Sequence, residues 1–214
     1  LMKFDIVCFD FDSTLSAIEG IDALAERAGC GTEMAALTNA AMNGEVALEE
    51  VYAQRLDLIK PDKAAITWLA EEYIKHKLLG IEAVFEQLHQ AGVSVHIISG
   101  GLTAAIVPLA ERLNVAAKNV HAVGLSWDDS GEYQSFDVQS PLARSGGKAE
   151  VCAQLNPKQL KLAMIGDGKT DMEAKAVGAF CIGFGGVVIR PLVQEQADVF
   201  VESSDLRAVL EYLL

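Results

Sequence analysis

Asp10-Phe11-Asp12-Ser13-Thr14 follows a mostly apolar run, Phe4-Asp5-Ile6-Val7-Cys8-Phe9, of the kind that forms a strand covered on both faces of a parallel sheet. In an extended segment Asp10 and Asp12 project from the same face. Two carboxylates held that close repel unless a cation lies between them or one takes a proton. Three further polar clusters stand where other elements meet: Ser99-Gly100-Gly101, Ser145-Gly146-Gly147-Lys148 and Gly166-Asp167-Gly168-Lys169-Thr170-Asp171. Asp10, Asp12 and Asp167 offer hard oxygen ligands suited to Mg²⁺. Lys148, Ser99 and the amides of Gly100 and Gly101 at a helix start could cradle a phosphate. One carboxylate can then attack phosphorus, while a second acid protonates the leaving oxygen and later activates water. Taken singly, each cluster also reads as an ordinary turn, a solvated lysine or a helix cap. Their coincidence at strand ends carries the argument, because all carboxyl ends of a parallel sheet share one edge.

The elements that must position them follow from periodicity. After the first strand, residues 17–28, 32–42, 47–59 and 62–75 carry apolar residues at helical spacing, separated by Gly29-Cys30-Gly31, Asn43-Gly44 and Lys60-Pro61. Four helices with no strand between them exceed a simple crossover, so residues 16–75 read as a helical insert. An α/β rhythm then resumes. It predicts helix 81–90, strand 93–98, helix 102–113, helix 147–155, strand 160–165, helix 171–177, strand 179–184, a helix near 190–195, strand 198–201 and helix 204–212. Residues 120–138 alternate around Asp128-Asp129-Ser130-Gly131, a hairpin signal. The expected fold is an α/β doubly wound parallel sheet with a helical cap inserted after the first strand and a β-hairpin extension. Residues 1–15 and 76–214 would form the core and 16–75 the cap.

Composition narrows the partners. A net charge of −13 argues against nucleic acid or an anionic membrane as the main partner, while 51% hydrophobic content supports a real core. Cys8, Cys30, Cys152 and Cys181 are scattered and read as reduced, mostly buried thiols. No signal peptide and no apolar run of membrane-spanning length stands out, so a cytoplasmic location is expected, with Met2 as the natural start. The histidines show no metal-ligand spacing, Trp68 and Trp127 read as packing residues, and Arg190 reads as an exposed helix cation.

Two decoys fail. Gly147-Lys148 lacks the earlier P-loop glycine, since Leu142 stands there, and Ala149 replaces the required Ser or Thr. Gly166-x-Gly168 has Asp171 where a dinucleotide fingerprint needs glycine.

The motifs Asp10-x-Asp12-x-Thr14, Ser99, Lys148 and Gly166-Asp167-Gly168-x-Thr170-Asp171 resemble those of the haloacid dehalogenase superfamily. With Glu19-Gly20-Ile21-Asp22 and Ile182-Gly183-Phe184-Gly185-Gly186 added, the chain is similar over nearly its whole length to the phosphoserine phosphatase family within it. The resemblance implies a Mg²⁺-dependent monoesterase that hydrolyses O-phospho-L-serine through an aspartyl-phosphate, at the last step of phosphorylated-pathway serine biosynthesis. Asp10 would be nucleophile and metal ligand. Asp12 would be general acid, then base, reaching the metal through its backbone carbonyl. Asp167 would complete the protein's metal ligands, with Asp171 supporting. Ser99, Gly100, Gly101, Lys148 and Thr170 would hold phosphate. In the cap, Glu19 would meet the substrate ammonium and Arg55 its carboxylate, Met42 would pack over the reacting group, and Asn43 would be a further substrate-binding residue. Without the resemblance, Glu19 and Arg55 read as exposed helix charges.

Asn43 stands where the family often has glycine, and Lys169 where a small residue is common. Rival readings are the same chemistry on another small phosphorylated amine or hydroxy-amino acid, transfer to an alcohol, and a phospho-accepting signalling domain. The expected partner is a small molecule, with the chain a monomer or homodimer.

Overall fold

The computed structural model describes residues 4–214, so the start at Met2 and the first three residues of the expected core lie outside the described residues. The chain opens with β1 (Ile6–Phe9), followed by four helices: α1 (Gly20–Ala28), α2 (Gly31–Met42), α3 (Leu48–Ile59) and α4 (Lys63–Lys75). Next come α5 (Ile81–Gln90), β2 (Ser94–Leu102), α6 (Thr103–Arg112), β3 (Val120–Val123) and a hairpin of β4 (Leu125–Trp127) and β5 (Tyr133–Phe136). The rest runs α7 (Gly147–Leu155), β6 (Leu162–Gly166), α8 (Lys169–Met172), β7 (Phe180–Phe184), α9 (Pro191–Gln196), β8 (Val199–Val201) and α10 (Leu210–Leu213).

All four residues of β1 are buried, because the strand pairs in parallel with β2 on one side and β6 on the other. The six-stranded sheet has the order β3-β2-β1-β6-β7-β8, and every pairing in it is parallel. The fold is therefore the expected α/β doubly wound sheet. Strand order reverses at β1: the chain builds outward to β2 and β3, then returns to β6 on the opposite side. A crevice opens at the carboxyl ends of strands beside such a reversal. Asp10 follows β1 and Asp167 follows β6.

The helices α1–α4 leave and rejoin the sheet at neighbouring points, where Ala17 N–H donates to His76 O (2.8 Å) and Leu78 N–H to Leu15 O (2.9 Å). Asp62 caps α4 by accepting from Ala65 N–H at 2.6 Å. Gly29, at φ 83°, ends α1 in the left-handed conformation that glycine adopts without a Cβ penalty. Leu24, Met34, Leu56, Leu69 and Tyr73 form the buried side of this segment. The hairpin reaches the segment too, with Trp127 Nε1–H donating to Pro61 O (3.0 Å) and Lys63 N–H to Gly131 O (3.0 Å).

Four elements differ from periodicity. Residues 120–123 leave the hairpin and join the main sheet beside β2, with Val120 opposite Ile97 and Val123 opposite Leu102. Their alternation is equally compatible with either partner, and burial of Val120 and Val123 under α6 decides it. Strand β2 runs on to Leu102, with a register shift against β3 between Ile98 and Leu102, so Gly100 and Gly101 belong to a strand end and not to a helix start. The expected helices at 171–177 and 204–212 are each split between a 3₁₀ turn and a short α-helix. Among the described residues, no helix is long and apolar enough to cross a membrane.

Candidate active site

The turn after β1 sets the two aspartates apart. Ser13 takes the left-handed conformation (φ 55°), which bends the chain immediately past Asp12 and aims its hydroxyl at Glu19 Oε1, 2.7 Å away. Asp10 is buried and accepts from Lys148 Nζ at 2.7 Å. Lys148, in the first turn of α7, also donates to Asp171 Oδ1 at 2.6 Å. An ammonium carries three donors, so one remains for a ligand. Burial works to lower the Lys148 pKa, but Asp10 and then Asp171 outweigh it and hold the lysine above its ordinary value.

Asp12 behaves differently from Asp10. Its Oδ1 accepts from Gly20 N–H (2.7 Å) and from the Tyr73 hydroxyl (2.6 Å). Burial, with the charge of Asp10, pushes its pKa up to about 6, against the lowering effect of those two donors. A group titrating there can give and take a proton near neutrality.

Asp167 is 2% exposed and accepts from Thr14 Oγ1–H (3.1 Å) and Arg190 Nε–H (3.3 Å). Burial, then Asp10 and Asp171, hold its carboxyl well above the usual range. Asp171 is pushed up to about 7 by burial and Asp10, opposed by Lys148. Oxygens of Asp10, Asp167 and Asp171 all lie within 4.8 Å of one another. Three buried carboxylates this close, two of them pushed up by burial and by the charge of Asp10, are a hard-oxygen set fitted to a divalent cation such as Mg²⁺. Asp171 is held tightly from both sides, by Lys148 and by Gly168 N–H (2.9 Å), whereas the protein contacts of Asp167 are longer. Of the three, Asp10 lines the cavity described below, and Asp167 and Asp171 lie behind its lining. The Asp12 carboxylate is outside this cluster.

One cavity gathers most of the singled-out residues. Asp10, Asp12, Ser99, Gly100, Gly101, Lys148 and Thr170 line it from the sheet side, and Glu19, Met42 and Arg55 from the helical side. Ser99 Oγ accepts from Gly101 N–H (2.9 Å), so that amide is already engaged. Arg55 is 4% exposed, donates from Nη1 to Thr38 Oγ1 (3.1 Å) and lies over the Tyr52 ring. Thr38 in turn donates to Asp22 Oδ1 at 2.7 Å, forming a short relay that orients the guanidinium. Burial lowers the Arg55 pKa, and burial, with Asp12 and Asp167, holds Glu19 well above the usual carboxylate range. Among the described residues, the buried side-chain polar atoms with no hydrogen-bond partner are Arg55 Nε and Thr170 Oγ1, and both residues line this one cavity. Buried polar atoms are nearly always satisfied, so two unpartnered atoms on residues that line one space point to a ligand's place.

Asn43 lies elsewhere. Its carboxamide oxygen, with that of Asn39, accepts from Arg190 Nη1 (3.2 and 3.3 Å). Arg190 itself is 3% exposed, not the exposed helix cation its sequence position indicates. It ties Asp167 to α2 and the residue after it, across a span of chain that no local pattern encodes. Tyr73, Tyr52 and Thr38 also escaped the sequence reading, because nothing marks an isolated Tyr or Thr as the partner of a residue far along the chain.

The chain is similar to known proteins. The family model described as haloacid dehalogenase-like hydrolase matches residues 7–174. The Drosophila melanogaster phosphoserine phosphatase is 39% identical over 204 residues, covering 94% of this chain and 76% of that protein. The Homo sapiens phosphoserine phosphatase is 40% identical over 199 residues, covering 92% and 88%. A solved structure described as a phospho-aspartyl intermediate analogue of phosphoserine phosphatase superimposes with a TM-score of 0.82 at 26% identity, covering 99% of this chain and 100% of that one.

Proposed function

The chain belongs to the haloacid dehalogenase-like hydrolase family, and from that premise we propose that it hydrolyses O-phospho-L-serine to L-serine and phosphate, with Mg²⁺ and through an aspartyl-phosphate on Asp10. The observation that carries the reading is the shared cavity, lined by Thr170 and Arg55, whose Oγ1 and Nε lack hydrogen-bond partners. Phosphoserine presents a phosphate to the first and a carboxylate to the second, and a guanidinium suits a carboxylate well.

Asp10 attacks phosphorus as the bond to the serine oxygen breaks, and Asp12 gives its proton to that oxygen. Asp12 then accepts a proton from water, which attacks the phosphorus and frees Asp10 and inorganic phosphate. Lys148 holds Asp10 in line and offers its remaining donor to the phosphoryl group, with Ser99, Gly100, Gly101 and Thr170 around it. Bound Mg²⁺, held by Asp10, Asp167 and the Asp12 backbone carbonyl, would supply positive charge against the phosphoryl oxygens. Residues 16–75 act as a cap, in which Glu19 takes the substrate ammonium, Arg55 the carboxylate, and Met42 packs over the reaction centre. Met42 supports this placement by its sulfur, which would lie 2.9 Å from a Cβ placed on Gly168. Such a cap keeps water from screening the site. The reaction stands at the last step of serine biosynthesis by the phosphorylated route, in the cytoplasm.

The test is phosphate release from O-phospho-L-serine, O-phospho-L-threonine, phosphoethanolamine and small sugar phosphates, with and without Mg²⁺. Phosphoserine is expected to lead by at least about tenfold in kcat/KM, a factor that the amino-acid contacts can supply. Equal turnover of all four classes sinks the substrate assignment.

A further inference from the structure

The acid that protonates the leaving oxygen must present one particular oxygen to it, and Asp12 has two that are not equivalent. Asp12 Oδ1 accepts two hydrogen bonds, from Gly20 N–H at 2.7 Å and from the Tyr73 hydroxyl at 2.6 Å. Asp12 Oδ2 lies on the side of the phosphate cradle: a Cβ placed on Gly101 would stand 2.9 Å from it and 3.1 Å from Ser99 Oγ. An oxygen that already receives two donors has no room for a proton of its own, which leaves Oδ2 as the oxygen that can carry and deliver one.

We propose that Tyr73 is a positioning residue for this reaction, locking the Asp12 carboxyl through Oδ1 so that Oδ2 faces the leaving oxygen. The inference rests on Asp12 being the acid of the proposed hydrolysis. Tyr73 belongs to α4, 61 residues from Asp12, so the helical segment supplies the part that aims the core's acid. Two features show a built contact. The Tyr73 ring is 1% exposed and packs edge-on against Phe11, with centroids 4.6 Å apart, so the hydroxyl cannot swing away. Gly20 leaves the space the hydroxyl needs: a Cβ there would lie 1.9 Å from Tyr73 Oη. In the first chemical step the bond from phosphorus to the serine oxygen breaks, a bond from Asp10 to phosphorus forms, and the proton on Oδ2 passes to the departing oxygen.

Tyr73→Phe keeps the ring and removes the donor. The readout is the first turnover of the Mg²⁺-loaded enzyme, followed by rapid quench as release of serine from O-phospho-L-serine or of nitrophenolate from p-nitrophenyl phosphate. An alkoxide must be protonated to leave and a nitrophenolate need not. The expected result is a fall of about tenfold in first-turnover rate with phosphoserine, less than about twofold with p-nitrophenyl phosphate, and an unchanged KM for both, as a lost aim of a general acid requires. Gly20→Ala, whose Cβ would lie 1.9 Å from the Tyr73 hydroxyl and 3.2 Å from Asp12 Oδ1, disturbs the same contact from the other side and is expected to give the same selective loss. Equal losses on the two esters in both variants, or no loss with phosphoserine, overturn the role of Tyr73. An unaltered chain inactive on both esters overturns the reading of Asp12 beneath it, and this inference with it.

Discussion

The α/β core and the helical segment both bring buried charge to one cavity, but they leave it in different states. In the core the charges are paired with one another, Lys148 between Asp10 and Asp171 and Arg190 against Asp167, with one Lys148 donor and the Thr170 hydroxyl left over. In the helical segment the polar groups keep spare capacity. Arg55 has a donor with no partner, and Glu19 holds a single hydroxyl. A closed network keeps its geometry whether or not ligand is present, which suits groups that must meet one reacting phosphorus. An open one becomes satisfied only when the right molecule arrives, which suits discrimination. Under the proposed function, the core serves the reaction and the segment the choice of substrate.

Breaking the core should therefore affect every substrate alike. Asp10→Asn is expected to lower phosphate release by roughly 10⁴-fold or more with both phosphoserine and p-nitrophenyl phosphate, as loss of a nucleophile does. A selective loss would contradict its place in the reaction. Breaking the segment should separate the substrates: Arg55→Met is expected to cost roughly 10³-fold in kcat/KM with phosphoserine, the scale of leaving a desolvated charge unpaired, and to change p-nitrophenyl phosphate by less than about threefold. Equal losses would remove the distinction between the two regions.

Arg190 is the residue that belongs to both, since it touches Asp167 and the side chains of Asn39 and Asn43. Arg190→Met should lower folding stability by about 3 kcal/mol, because it leaves a buried carboxylate without its cation. The midpoint of urea unfolding measures it, and an unchanged midpoint would mean the two regions are joined mainly by other contacts.

The smallest effect is expected far from the cavity, at the β2–β3 edge. His96 Nδ1 and His121 Nε2 are 3.1 Å apart, and burial, then His121, pushes the His96 pKa down to about 4. An unfolded histidine titrates near 6.5, so below that pH the unfolded chain binds a proton that the folded chain refuses. Stability attributable to His96 should fall as pH drops from about 6.5 toward 4. His96→Gln should flatten that part of the urea-midpoint profile while leaving phosphate release at pH 7 unchanged.

Much of the fold was legible because parallel strands buried on both faces declare themselves as short apolar runs, and Gly-rich polar clusters mark where they end. The core half of the site was legible for the same reason. Asp10, Asp12, Ser99, Lys148 and Asp167 each sit within a few residues of a strand or helix terminus, and sheet topology brings those termini together. The boundary of β2 was harder, since Gly100-Gly101 reads as a helix start while a register shift keeps both glycines in the strand end. The partner of Val120–Val123 was harder still, because alternation states which faces are apolar and not which neighbour covers them.

What remained for the tertiary structure was every contact made between distant parts of the chain. Residue type and spacing already defined two neighbouring carboxylates, a lysine and a set of oxygen ligands, since local sequence dictates strand, turn and cap; the resemblance to a known family is what made the two carboxylates unequal. That Arg190 is buried against Asp167, that Asn43 turns to Arg190 and away from the cavity, and that Tyr73 holds one oxygen of Asp12 are decided by packing over spans of 23, 147 and 61 residues. Such partners are selected by the space left when helices close on a sheet, and no local pattern in the chain records that space.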